Sequence, residues 1–368
     1  MYSIKDLLNV MKETEASDLY VALGTYPMLK IQGKAIPLEK EIVIPEIMNA
    51  LKSEILDDKN RMLYTEKREL DFTYSLPGEG RFRVNFFRQR NSDSFVIRRI
   101  ISEIQSLEAL NLPSLLGDIV EKDRGLILVV GATGSGKSTT MSAMVDHRNA
   151  SVPGHILTLE DPIEFLHSHK KAIITQREIG IDTASFQTAL KSALREAPSM
   201  ILIGEIRDQE TLGAALNFAE TGHLVVSTLH ASNAYQTIER VCSFYDADQK
   251  EMIQLQLSQN LLAIIAQRLV PTIDGGRTAA MEIMLSTARI RDLVRKGEFQ
   301  LLRHTIQSST SEGMMLFDQA LYKFYKEGII SEDTAIENSD RPHDLKLKIR
   351  SKEEQMFSQR IELLEDDD

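Results

Sequence analysis

The spacing of apolar residues changes character near residue 100. Before that point helical and alternating spacings mix, which predicts an α+β domain over residues 1–100. Ile4, Leu7, Leu8 and Met11 recur at helical spacing. DLYVAL and MLKIQG predict strands on either side of the turn GTYP, and IPEIMNALKSEIL predicts a helix with Pro45 near its start. ELDFTYSL, RFRVNFFRQ and SFVIRRI predict three strands, the first two joined as a hairpin by PGEG. Residues 101–111 read as a linker.

From Leu112 onward strand patterns alternate with helix patterns. GLILVVG, HILTLE, MILIGE and HLVVSTLH predict short buried strands, with KSTTMSAMVDHRN, SFQTALKSALRE and ETLGAALNFAET as helices between them. Such alternation predicts an α/β domain over residues 112–286, with a mostly parallel sheet and helices on both faces. QLQLSQNLLAIIAQRL starts with strand-like alternation, but its length favours a helix. TARIRDLVRKG, EFQLLRHTIQ, MLFDQALYKFYKEG and EDTAIEN predict a helical C-terminal subdomain over residues 287–350. The acidic end, residues 351–368, is predicted to lack stable structure.

Composition narrows the class. A chain of 368 residues can bury two or more cores, and 42% hydrophobic with 26% charged residues is ordinary for a soluble globular protein. A net charge of -11 makes nucleic acid a poor default partner, although a local basic surface stays open. The one cysteine, Cys242, excludes an intrachain disulfide and a four-cysteine zinc site; its place in AYQTIERVCSFY suggests a packed thiol. The N-terminus lacks the pattern of a signal peptide, and the apolar stretch Gly125–Ala132 is far too short to span a bilayer. The expectation is a cytoplasmic protein able to dock on a membrane protein.

The chemistry centres on GATGSGKST, Gly131–Thr139, which fits G-x-x-x-x-G-K-[ST] between a strand and a helix. Glycines let the backbone curl so that N–H groups face phosphate oxygens, and the helix N-terminus adds positive partial charge. Gly131, Ala132, Thr133, Gly134, Ser135, Gly136, Lys137, Ser138 and Thr139 are the candidate ATP contacts. Lys137 brings a full charge to the β/γ-phosphates, and the Ser138 hydroxyl reaches Mg²⁺. The bland alternative is a chance glycine turn, which the flanking strand and helix argue against.

Hydrolysis also needs groups that orient water and hold metal, and such groups belong at the carboxyl ends of parallel strands. MILIGE ends in Glu205, at the position of a Walker B acid, with Gly204 where Asp is commoner. HILTLE ends in Glu160, followed by Asp161 and Pro162, so Glu160 and Asp161 can fill the resulting vacancy; the bland alternative is a strand-end turn. His223 and His230 bracket one strand, and seven residues apart they face opposite sides, which excludes a shared metal. One of the pair is expected at the phosphates or the catalytic acid, the other in the fold. His167 and His169 read as a solvated loop. Arg81 and Arg83 share a strand face, as suits an anion, against the alternative of a solvated charged face.

GATGSGKST, TLEDPIEF, ILIGEIRD and TGHLVVSTLHASNA, in this order and spacing, resemble the Walker A, Asp, Walker B and His boxes of the secretion-type hexameric ATPases. Within that group the chain is similar, over nearly its whole length, to the PilT/PilU family of type IV pilus retraction ATPases. The resemblance implies a PAS-like N-terminal domain, a RecA-like P-loop domain and a homo-hexamer, with ATP between the two domains and closed by a neighbouring subunit. It implies a water-activating Glu160 with Asp161 in the same acidic box, and a Glu205 that helps hold Mg²⁺. It implies His223 and His230 as the His-box pair and Arg83 and Arg98 as trans-acting arginines, with Arg81 the weaker candidate. The run RIRDLVR departs from the PilT motif AIRNLIR at Arg289, Asp292 and Val294, and the chain continues into an acidic tail; both features fall on the PilU side.

The partners so implied are a PilT-type ATPase and an inner-membrane platform protein, at the cytoplasmic face of the inner membrane, with neither zinc nor nucleic acid. Two other readings fit parts of the sequence. A slowly hydrolysing regulatory ATP-binding protein fits the departures in RIRDLVR. A nucleic-acid translocase needs a basic, aromatic-lined channel, which an acidic chain without Trp disfavours.

Overall fold

The computed structural model describes residues 2–31, 33–76, 80–100 and 103–351. The chain forms two compact units, Met1–Glu103 with Ile163–Leu166, and Ile104–Pro162 with His167–Asp368. The linker read at 101–111 includes Ile101 and Ser102, which lie outside the described residues, as do Pro77–Glu79 of the PGEG turn and 352–368 of the acidic end.

The first unit contains helices α1 (Ile4–Glu13), α2 (Pro45–Ile55) and α3 (Asp58–Lys67). Its strands are β1 (Asp18–Ala22), β2 (Met28–Ile31), β3 (Lys34–Pro37), β4 (Glu69–Leu76), β5 (Gly80–Gln89) and β6 (Ser92–Ile100). They form one sheet in the order β3-β2-β1-β6-β5-β4, each pair antiparallel. Ser3 caps α1 by accepting from the Asp6 N–H, and the helix buries Ile4, Leu7, Leu8 and Met11. Period-two alternation on β5 buries Phe82, Val84 and Phe86 in the same core and turns Arg81, Arg83 and Asn85 to the other face. The sequence pattern missed β3 and α3. Every residue of β3 is exposed and α3 buries only Tyr64, so neither carries a hydrophobic period.

In the second unit, α4 (Leu115–Val120) precedes β7 (Gly125–Val130), α5 (Lys137–Ser151), β8 (Gly154–Glu160) and β9 (Ala172–Glu178). Next come α6 (Phe186–Ala193), β10 (Met200–Ile203), α7 (Gln209–Glu220), β11 (Leu224–Leu229) and α8 (Ala234–Cys242). Then α9 (Lys250–Asn260), β12 (Leu261–Pro271) and β13 (Arg277–Leu285) lead to α10 (Ala288–Lys296), α11 (Leu302–Ser308), α12 (Phe317–Lys326) and α13 (Glu332–Glu337). The seven-stranded sheet runs β13-β12-β7-β11-β10-β8-β9, parallel except for β13 against β12. Every residue of β7, β10 and β11 is buried, which explains their unbroken apolar runs.

QLQLSQNLLAIIAQRL is not one helix. Its first part is α9, and from Leu261 it is β12, inserted between β7 and β13. Pairing on both edges overrides the length argument, and Ile264 and Ile265 suit a buried pleated surface. The helices α10 to α12 bury Ile290, Leu293, Leu302, Ile306, Phe317 and Leu321 in the same cluster as Ile264 and Met284 of the sheet. They close one face of the sheet. Cys242 is buried there, and burial pushes its thiol up to about 11, which makes it inert packing. Among the described residues no helix is long and apolar enough to cross a membrane.

Glu282 of β13 sits in this core, 3% exposed. Its Oε1 accepts from the Ala234 N–H at 2.9 Å, and the Phe317 N–H also donates to the carboxylate. Ala234 and Phe317 begin α8 and α12, so one carboxylate meets two helix N-termini. Burial still dominates and raises the carboxyl from 4.5 to about 7, with Asp340 adding to the rise and Arg303 opposing it. The folded protein therefore holds this proton more tightly than the unfolded chain. The group's contribution to stability is full below about 4.5 and is lost as pH rises through about 7. Thermal midpoints of wild type should fall across that window relative to Glu282→Gln, which cannot ionise; parallel curves would refute the assignment.

Candidate functional site

Strand register collects the candidate residues at one edge of the second sheet. Val130 pairs with Leu229 and with Ala266, so Gly131 and His230 leave β7 and β11 side by side while Gln267 lies at the same level on β12, which continues to Pro271. Ile203 pairs with Leu159 and Ser227, which brings Gly204 beside Glu160 and Thr228. This is the carboxyl edge of the parallel strands, where open α/β sheets bind ligands.

The loop Gly131–Gly136 connects β7 to α5. Gly131, Gly134 and Gly136 have φ of 153°, 79° and 86°. A Cβ on Gly131 would lie 2.5 Å from the Gln267 carbonyl oxygen, so the sequence motif demands glycine there for space as well as conformation. Ala132, Thr133 and Gly134 are exposed, while Ser138 and Thr139 are half-buried in the first turn of α5. Lys137 Nζ donates to the carbonyls of Gly131 and Ala132 at 2.9 Å each, which holds its ammonium over the loop.

Glu160 ends β8, and its Oε1 accepts from Thr158 Oγ1 at 2.6 Å and Gln176 Nε2 at 3.2 Å. Thr158 lies two residues back on the same strand face. Gln176 comes from β9, a strand the sequence pattern missed. Asp161 follows, exposed, before a cis bond to Pro162. Glu205 lies two residues beyond the end of β10, and Gly204 before it passes close to the Leu159–Glu160 backbone. A Cβ on Gly204 would sit 3.2 Å from the Leu159 oxygen and 3.4 Å from the Glu160 Cα. Glu205 meets His230 Nε2 at 3.2 Å through Oε1 and the Arg207 guanidinium at 2.8 Å through Oε2. Hydrogen bonding to the Glu205 carboxylate raises Arg207 above its ordinary pKa, and the charges of Glu205 and Asp161 act in the same direction. Sequence reasoning missed Arg207, Thr158 and Gln176; the signal for Arg207 was its place in GEIRD, two residues from Glu205.

The two His-box histidines part company. His230 joins Glu205 at the loop edge. His223 precedes β11 at its other end, roughly 20 Å away along extended chain. There His223 Nδ1 contacts the Phe218 oxygen at 3.1 Å and Thr221 Oγ1 at 3.2 Å, with its ring edge-on to Phe218. Within its own chain His223 is engaged by these neighbours at the end of β11 opposite the glycine loop, and the structure does not bring it together with Glu205. The solvated reading of His167 is corrected. Burial lowers its imidazole to about 4, so the ring is neutral at pH 7, and its Nδ1 has no hydrogen-bond partner among the described residues. His169 Nδ1 accepts from the Ile174 N–H.

The arginines belong to the first unit. Arg83 of β5 and Arg98 of β6 are directly opposed. Arg98 Nε lies 2.7 Å from Oδ1 of Asp18, which is 2% exposed, and Arg83 Nε lies 3.9 Å from Asp71. Arg81 keeps a buried Nε without a hydrogen-bond partner among the described residues.

A glycine loop between a buried parallel strand and a helix N-terminus, with carboxylates at the ends of β8 and β10 on the same edge of the sheet, defines a P-loop NTPase. The type II/IV secretion system protein profile matches residues 69–331. The type IV pilus ATPase PilU of Pseudomonas aeruginosa is 46% identical over 94% of this chain and 90% of its own length. The retraction ATPase PilT of the same organism is 42% identical over 93% and 99%. The crystal structure of the pilus retraction motor PilT with bound ADP matches with a TM-score of 0.88 at 40% identity, over 94% of this chain and 99% of that one. The chain belongs to the type II/IV secretion system protein family, in its branch of type IV pilus retraction ATPases. Its two units correspond to an N-terminal sheet domain and a RecA-like ATPase domain.

The tight passage at Gly204 makes a direct expectation. Gly204→Ala should lower stability by about 1–3 kcal/mol through overpacking against the Leu159 and Glu160 backbone. Denaturant midpoints with an unchanged slope would measure it; no shift would mean the strand ends can separate freely.

Proposed function

We propose that the protein is a Mg²⁺-dependent ATPase motor acting as a homo-hexamer at the cytoplasmic face of the inner membrane. It drives type IV pilus retraction by acting on the membrane platform protein, alone or together with a PilT-type ATPase. The observation that carries this reading is the convergence of the P-loop, Glu160 and Glu205–His230 on one sheet edge. The ADP bound to the similar motor PilT supports a nucleotide at the corresponding loop.

In this reading Lys137 turns from the Gly131 and Ala132 carbonyls to the β/γ-phosphates, which supply stronger, charged acceptors. Glu160, its carboxylate oriented by Thr158 and Gln176, takes the proton of the attacking water. Asp161 lies next to it in the acidic box. Ser138 and Glu205 offer the hard oxygen donors that suit Mg²⁺, which binds protein through few groups and keeps phosphates and waters as its other ligands. When bound, the ion would neutralise charge on the β- and γ-phosphates. His230 and Arg207 hold Glu205 in place. Arg83 and Arg98 of a neighbouring subunit stabilise the charge on the transferring phosphoryl group.

Lys137→Ala should abolish nucleotide binding in calorimetry. Glu160→Gln should bind ATP with wild-type affinity but lose about a hundredfold or more in turnover. Retained turnover would remove Glu160 from the base role.

Mixing wild type with increasing Lys137→Ala protein tests the ring. A rate falling more steeply than dilution is expected of shared, cooperative sites. A linear fall would favour the slow regulatory reading, which the departures in RIRDLVR keep open. Arg83→Ala should leave nucleotide binding intact and reduce turnover; undiminished turnover would return Arg83 to the fold.

A further inference from the structure

One buried side chain touches the nucleotide loop from outside the motif. Gln267 of β12 is 2% exposed and lies against the loop's inner side. Its Nε2 donates to the Ser135 carbonyl at 2.7 Å, and its Oε1 accepts from Thr140 Oγ1 at 2.7 Å. Both ends of the amide are thus engaged, one by the loop and one by the first turns of α5. The contact also accounts for two of the loop's glycines. A Cβ on Gly136 would lie 2.8 Å from Gln267 Nε2, and one on Gly131 would lie 2.5 Å from the Gln267 carbonyl oxygen.

We propose that Gln267 is a positioning residue for the nucleotide loop, holding it in its phosphate-binding curl before nucleotide arrives. The inference rests on the nucleotide reading of Gly131–Thr139. Its physical basis is the direction of one peptide group. A loop that binds phosphate must present N–H groups to it and turn carbonyls away. Ser135 is where that choice is pinned, because its carbonyl points at the Gln267 amide and a flip of the Ser135–Gly136 peptide would break that bond. Without the bond the loop samples curls in which a carbonyl opposes the phosphate. Binding then has to select the competent fraction, and apparent affinity falls in proportion.

The anchor is itself immobilised. Arg268, the next residue, donates to the Asn338 carbonyl at 2.9 Å and to Asp340 at 2.6 Å, and its guanidinium lies 4.0 Å from the centre of the Phe317 ring. Strand β12 pairs along both edges, with β7 and with β13. A side chain on so fixed a strand can impose geometry on a loop that is otherwise exposed at Ala132–Gly134.

The test compares wild type, Gln267→Met and Thr140→Val as full-length proteins. ADP is the calorimetric probe, steady-state ATPase gives KM and kcat, and thermal midpoints are recorded without nucleotide. Gln267→Met keeps length and volume but removes both polar contacts. It should raise the ADP Kd and the ATP KM on the order of tenfold or more, with kcat at saturation largely kept. Thr140→Val removes only the Oε1 partner and should give a smaller change in the same direction; it decides the matter if Gln267→Met does not fold.

Unchanged ADP affinity in folded protein overturns the proposal. So does an affinity loss that merely follows a lowered thermal midpoint, since that describes a fold residue. Wild-type protein unable to bind ADP would instead sink the nucleotide reading, and this inference with it.

Discussion

The parallel pairing of β7 with β11 and β12 is the constraint on which the rest of the molecule depends. It sets where β7 and β11 end and which residue of β12 lies beside those ends. Because Val130, Leu229 and Ala266 lie in register, Gly131 and His230 leave their strands level with Gln267 of β12. A slip of one residue would reverse every side chain on a strand, but these strands are buried on both faces and their neighbours hold each register by backbone hydrogen bonds. The apolar run GLILVV therefore carries the geometry of the site without contributing a functional side chain to it.

Polar groups buried among the strand ends extend this control. Ser227 Oγ donates to the Ile203 carbonyl and Thr228 Oγ1 to the Gly204 carbonyl, each at 2.7 Å. Those bonds tie β11 to the turn that carries Glu205. Gly204 in turn packs on the backbone of Leu159 and Glu160. The two candidate acids are thus placed by backbone contacts. Their side chains are then trimmed by neighbours, Thr158 and Gln176 for one, His230 and Arg207 for the other. An acid at the end of a buried strand is tolerable in this setting because it reaches the sheet edge and finds donors there.

The N-terminal sheet uses its open face differently. Lys30, Asp18, Arg98 and Arg83 occupy paired positions on successive strands β2, β1, β6 and β5. Asp18 is the buried member of this row and binds Arg98 at 2.7 Å, with Lys30 at 3.8 Å. One carboxylate among three cations leaves this row of four net positive. The Arg98 side chain as a whole stays 65% exposed although its Nε is bound to Asp18.

Much of this was legible in the residues themselves. Unbroken apolar strands alternating with amphipathic helices set the fold class, because a strand buried on both faces can contain little else. GATGSGKST points to its chemistry through local backbone requirements, and Glu160 and Glu205 stand out as candidate acids ending apolar runs. Elements whose identity depends on distant partners were not legible. Strand β12 reads locally as a continuation of α9 and becomes a strand only between β7 and β13; β3 and α3 bury too little to show a period. Side-chain roles followed the same division. His223 and His230 look equivalent in the sequence, yet a six-residue strand carries them to opposite ends of the sheet. Gln267 lies more than a hundred residues from the loop it touches, and only the register of β12 on β7 brings them together. Local sequence determines backbone preference and chemical type; which side chains share a site is decided by pairing between segments far apart in the chain.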